Sequence, residues 1–169
     1  MGHRRRTVLL ALAGAGLAQH RLARALDPAT GPAVLTLSGK IGKPNATDRA
    51  EFDMAMLERL PQRSFTARTP WYREPRKFTG PLLRDVLAAA GAHGRTLKAV
   101  ALNDYTVEIP FDDALRHDVI VARLLDDKPM PVREKGPLFI VYPFDSKPEL
   151  RNAVYFSRSA WQLKAIQVQ

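Results

Sequence analysis

The spacing of apolar and polar positions changes every few residues, and each change predicts a short element. Val34-Leu35-Thr36-Leu37-Ser38-Gly39-Lys40-Ile41 alternates with period two, which predicts a strand ending at glycine. Lys43 to Thr47 predicts a turn, and Asp53 predicts the cap of a short helix that runs through Leu60 and stops at Pro61. Ser64 to Thr69 is β-branched enough for a second strand, and Thr69 to Pro75 leaves regular structure. Leu82, Leu83, Val86, Leu87 and Ala90 recur at helical spacing and make the clearest helix, with Gly80 and Pro81 expected at its start and Gly91 at its C-terminal cap. Leu97 to Leu102 and Tyr105 to Ile109 predict a hairpin turned by Asn103-Asp104.

Beyond the hairpin, Asp112 to Arg116 predicts a single helical turn. Val119 to Leu125 is apolar but for Arg123 and fits a strand or a helix equally. Asp126-Asp127-Lys128-Pro129 predicts a turn, Leu138 to Tyr142 a buried strand, and Ala153 to Phe156 and Trp161 to Val168 two more strands. Many short strands with one clear helix and a few helical turns make the expected class α+β, in a single domain.

Length and composition fit that expectation. The chain has 169 residues, 46% of them apolar and 25% charged, which is globular and enough for one core. It has no cysteine, which excludes disulfides, thiolate metal ligands and a cysteine nucleophile.

Charge divides the chain into a leader and a body. The net charge is +9, but residues 1–25 hold five arginines and no acid, so the body carries 21 Lys and Arg against 17 Asp and Glu. A body of net +4 argues against a nucleic-acid partner. Arg4-Arg5-Arg6, the apolar run Val8 to Ala18 and Ala23-Arg24-Ala25 follow the order of an export signal, so residues 1–25 are expected to be a signal peptide and 26–169 the domain. The run is shorter than the roughly 20 residues of a bilayer span, so no stable membrane span is expected once the signal is removed. Arg5-Arg6-Thr7-Val8-Leu9-Leu10 partly matches the twin-arginine signal; three arginines equally suit the general secretory route. Either way the expected location is periplasmic or secreted.

The body has no phosphate-cradling glycine loop, no Gly-x-Ser-x-Gly and no His-Glu-x-x-His. His93 and His117 are expected in exposed polar turns without a role, and the pairs Asp112-Asp113 and Asp126-Asp127 in solvated turns. The remaining chemistry lies in Trp71 and its neighbours, in Asn103-Asp104-Tyr105, and in Arg133, Lys135, Gly136 and Arg158 with Trp161 nearby. The cations suit a phosphate or carboxylate, Trp71 or Trp161 a flat heterocycle, and Gly136 a close backbone approach to a ligand. The same residues also read as core aromatics, a plain turn and solvated cations.

From Leu35 to Val168 the chain resembles the oxidoreductase molybdopterin-binding domain family, of the sulfite-oxidase fold. The resemblance runs through Thr69-Pro70-Trp71, Phe78-Thr79-Gly80-Pro81-Leu82-Leu83-Arg84-Asp85-Val86-Leu87, Ala101-Leu102-Asn103-Asp104-Tyr105, Pro129 to Pro137, and Tyr142-Pro143, in that order. It implies molybdopterin as cofactor and two-electron oxygen-atom transfer, with Trp71, Asn103, Asp104, Tyr105, Arg133, Lys135, Gly136 and Arg158 at the cofactor. It also implies a cysteine ligand to molybdenum near Thr66 to Thr69, which this chain lacks, and Asn103-Asp104-Tyr105 stands where the family commonly has Asp-Gly-Tyr. Two functions follow: an exported molybdopterin-dependent oxidoreductase with a pterin ligand, or a cofactor-free binding, accessory or sensory module that takes a small anion or a periplasmic protein partner.

Overall fold

A computed structural model describes residues 25–169; the signal-peptide reading falls on residues 1–24 and so lies, except for Ala25, outside the described residues. Alternation works as the sequence predicts in β1 (Leu35–Gly39), where Leu35 and Leu37 are wholly buried and Thr36 and Ser38 are not. The strand lies between β2 (Arg49–Phe52), antiparallel, and β11 (Leu163–Val168), parallel. β5 (Thr96–Ala101) and β6 (Thr106–Pro110) form the predicted hairpin and complete a five-stranded sheet of order β2-β1-β11-β5-β6.

A second sheet has the order β3-β4-β8-β9, from β3 (Gln62–Ala67), β4 (Arg76–Pro81), β8 (Leu124–Leu125) and β9 (Lys128–Pro129). A ribbon of β7 (Ile120–Ala122) and β10 (Phe139–Val141) packs in the core, and every residue of both strands is buried. Among the described residues four short α-helices join these layers: α1 (Met54–Arg59), α2 (Leu83–Ala89), α3 (Phe111–Arg116) and α4 (Ala153–Arg158). The class is α+β, as expected. Among the described residues no helix is long and apolar enough to cross a membrane.

Asp53 caps α1, as its position predicts, and does more. Its carboxylate accepts from the N–H groups of Met56, Gly31 and Thr30, each at 2.8 Å, and so ties the segment before β1 to the helix. Those backbone donors, Gly31 and Met56 foremost, hold its pKa down at about 2.

Several expectations are corrected. Gly80 and Pro81 end β4 instead of starting the helix, which begins at Leu83. Gly80 is needed because a Cβ there would collide with the Val121 carbonyl across the sheets. Val119 to Leu125 resolves into two strands, β7 and β8, split at Arg123. Ala153 to Phe156 is helical, because Asn152 accepts from the N–H groups of Val154 and Tyr155 and caps α4. The Asp126-Asp127 turn is also held by partners, with Lys77 bonding both carboxylates.

Candidate functional site: an aromatic cleft

α4 and the β5–β6 turn meet over the segment that follows β3, and a cleft of about 500 Å³ opens between them. Trp71 forms its floor. Its indole packs edge-on against Phe139 at 5.3 Å, Trp161 at 5.7 Å and Phe156 at 6.0 Å, so four rings fix one another. Trp161, 38% exposed, is a wall of the cleft, and the chain's two tryptophans both line it.

Polar groups enter from two sides. Ser157 and Ser159 come from α4 and the residues after it. Each hydroxyl donates to a helix carbonyl, Ser157 to Val154 at 2.7 Å and Ser159 to Tyr155 at 3.0 Å. Their protons are therefore committed, and their lone pairs remain to accept from a ligand N–H. Asn103 and Tyr105 come from the hairpin turn; Asn103 Oδ1 accepts from the Tyr105 N–H at 3.2 Å, which leaves the Asn103 NH₂ as donor.

Lys135 supplies the cation. Its Nζ lies 4.8 Å from the Trp161 ring centre and 5.8 Å from that of Tyr72. The loop that carries it is stapled beside Trp161: the Gln162 N–H donates to the Lys135 carbonyl at 2.9 Å, and Gln162 Nε2 to the Val132 carbonyl at 2.7 Å. Lys135 and Gln162 both hold left-handed backbone, with φ of 74° and 52°. For side chains of this kind that conformation costs about 1 kcal/mol or more. Burial pushes the Tyr72 phenol above its ordinary value, and its hydroxyl has no partner.

The structure divides the sequence-selected residues. It brings Trp71, Asn103 and Tyr105 into the cleft; Lys135 is not itself a lining residue and lies over the ring of its Trp161 wall. Asp104 turns away to Lys164 at 2.6 Å, and that bond lowers its pKa. Arg133 is 83% exposed beside Glu134 and does not line the cleft. Gly136 does not line the cleft, and the fold requires glycine there because a Cβ would collide with the Met130 carbonyl. Arg158 is spent internally: its guanidinium bonds the Asp113 carboxylate at 2.9 Å and covers the Tyr155 ring at 5.4 Å.

Asp113 therefore does not sit in a solvated turn. It is buried and also accepts from the Tyr142 hydroxyl at 2.7 Å, while Asp112 pairs with Arg116 on the surface. Burial and that carboxylate push the Tyr142 phenol far up. His117 is half-buried, not exposed, with its ring 5.6 Å from Tyr155. The sequence does not mark Phe156 as a lining residue, because Ala153 to Phe156 looks like a strand; Ser157 and Ser159 lie in the candidate run Ser157 to Gln162 that also carries Arg158 and Trp161.

A molybdopterin has a flat heterocycle, an anionic phosphate and a metal, and these parts fit differently. The rings, the serine oxygens and the Asn103 amide suit the heterocycle, and Lys135 suits the anion. The metal finds no fitting ligand. The chain has no cysteine, and among the described residues no group of three His, Asp or Glu side chains is placed to hold an ion. Near the expected ligand position stands Thr69, whose buried hydroxyl has no partner among the described residues and is a hard, weakly donating oxygen.

No curated relative matches the sequence. The chain is similar to the solved sulfane dehydrogenase SoxCD from Paracoccus pantotrophus, with a TM-score of 0.60 and 18% identity. The match covers 79% of this chain and only 37% of that one, and at that identity it speaks for the fold. The family profile described as oxidoreductase molybdopterin binding domain matches residues 35–146. On that match, which spans about two thirds of the chain and, among the described residues, every strand but β11 and every α-helix but α4, the chain belongs to the oxidoreductase molybdopterin-binding domain family.

Proposed function

We propose that this chain is an exported binding module of its family, and that its cleft takes a pterin-class heterocycle bearing an anion without a protein thiolate on the metal. The observation that carries the reading is the pairing of Trp161 with the Lys135 ammonium 4.8 Å from its ring. A flat ligand stacked on Trp161 places its anion within reach of that cation. Asn103 then donates to a ring acceptor, and Ser157 and Ser159 accept from ring N–H or NH₂ groups. The left-handed backbone at Lys135 and Gln162 supports the same reading, since strain of this kind collects where a side chain must be aimed. Export rests on the leader: three arginines, an apolar run and Ala23-Arg24-Ala25.

Family membership favours a second reading, oxygen-atom transfer by a bound molybdenum cofactor. The chain's own residues support the binding half of that reading and supply no metal ligand. One experiment separates the two. The mature protein is purified from the cells that export it and desalted, then assayed for molybdenum by elemental mass spectrometry and for pterin by fluorescence after oxidation. Pterin with molybdenum well below stoichiometry is the expected result. Near-stoichiometric molybdenum retained through desalting would establish the second reading. Folded protein with neither, and with no affinity for added pterin, would overturn both.

A further inference from the structure

Among the described residues β3 ends its sheet, with β4 as its only strand partner, so one row of its backbone N–H and C=O groups faces no described strand. A second cleft, of about 320 Å³, is lined by Arg63, Ser64 and Phe65. Successive strand side chains point to opposite faces, so a cleft touching three in a row runs along an edge of the strand. β4 covers the other edge. The far wall comes from Arg116, which pairs with Asp112 at the end of α3, from Asp118, and from Pro143, Ser146 and Lys147 after β10.

The charge of this cleft is positive. Among the described residues Arg63 and Lys147 have no ion-pair partner. The nearby acids are neutralised: Asp118 pairs with Arg84 at 2.8 Å and Asp145 with Arg151 at 2.7 Å. Half-buried Phe65 and buried Pro143 add apolar contact.

The free edge alternates donors and acceptors, which another strand matches and a phosphodiester, with acceptors alone, does not. A second copy of this chain on the same edge would set Arg63 and Lys147 against their equivalents. The chain's own residues 1–25 bring five arginines and no acid, and would be repelled. We propose that an extended acidic peptide segment of a partner protein docks here by strand addition to β3, with alternate carboxylates reaching Arg63 and Lys147.

The test uses the full chain and a fluorescent octapeptide of alternating Glu and Val, followed by anisotropy at low salt. Its controls are the same peptide with alternate backbone nitrogens methylated and a Lys/Val counterpart. The expected result is binding of the acidic peptide, weakened about tenfold by Arg63→Glu or Lys147→Glu, with no binding of the basic one. N-methylation should weaken binding at least about tenfold, because it blocks the strand ladder and keeps the charge. Amide shifts should fall on residues 62–67. No binding of the acidic peptide, equal binding of the methylated one, or indifference to both charge reversals would overturn the proposal. Both residues are exposed, so neither variant threatens the fold, and pterin binding in the aromatic cleft is unaffected by any outcome.

Discussion

Arg158 and Lys135 are cations of the same charge beside the same cleft, and the fold uses them in opposite ways. Behind the cleft, Arg158, Asp113 and Tyr142 satisfy one another in a buried network that fixes α4 to α3. At the rim, over the Trp161 ring, Lys135 has aromatic faces and, among the described residues, no carboxylate partner, and Asn103 keeps a donor with no described partner. A polar group with internal partners works for the fold, and one without them is available to a ligand. Changes behind the cleft should therefore cost stability, and changes at the rim should cost affinity.

The largest effect is expected behind the cleft. Asp113→Ala leaves a buried phenol and a largely buried guanidinium without their acceptor and should cost about 3 kcal/mol in denaturant unfolding. Arg158→Leu, which leaves the Tyr142 hydrogen bond in place, should cost about 1 kcal/mol and change pterin-6-carboxylate affinity by less than about twofold. A tenfold loss of affinity at unchanged stability would reverse the assignment.

At the rim, Trp161→Ala should weaken pterin-6-carboxylate binding at least about tenfold and cost about 1 kcal/mol of stability, since the ring is already partly in solvent. Lys135→Gly sharpens the contrast. It removes the cation and relieves the left-handed backbone at φ 74°, so affinity should fall about fivefold while stability holds or rises by about 0.5 kcal/mol. Loss of both would show that the lysine stem holds the loop.

Asp53 extends the comparison to a partnered acid far from the cleft. Its pKa of about 2 lies below the ordinary 3.8, so the unfolded chain binds its proton more readily. The stability it contributes is present above about pH 4 and is lost as pH falls through about 2. Thermal melts should show that decline, and Asp53→Asn should flatten it. The smallest effect belongs to Arg133→Ala: at 83% exposure, stability should move by less than about 0.5 kcal/mol and affinity by less than about twofold.

The sequence makes some of this legible and hides the rest for physical reasons. β1, α1, the β5–β6 hairpin and β10 follow from alternation, a cap, a turn pair and an apolar run, all of them local signals. α4 is hidden because Ala153-Val154-Tyr155-Phe156 has strand-like residues, and only the Asn152 cap marks a helix. Gly80 and Gly136 look like a helix start and a ligand contact because their real neighbours, Val121 and Met130, come from other segments. The division between Arg158 and Lys135 depends on Asp113, distant in sequence, and no local pattern announces that pairing. The family resemblance, by contrast, rests on the order of several motifs and holds over residues 35–146.

Both tryptophans line the aromatic cleft, so their indole N–H signals report on it alone. Titrating the full chain with pterin-6-carboxylate and following those two signals by NMR tests the central claim most directly. The account requires both to shift and saturate together, with the shifts weakened in Lys135→Gly and the amides of residues 62–67 unmoved. Two unmoved indoles at millimolar ligand, or shifts confined to the β3 edge, would contradict it.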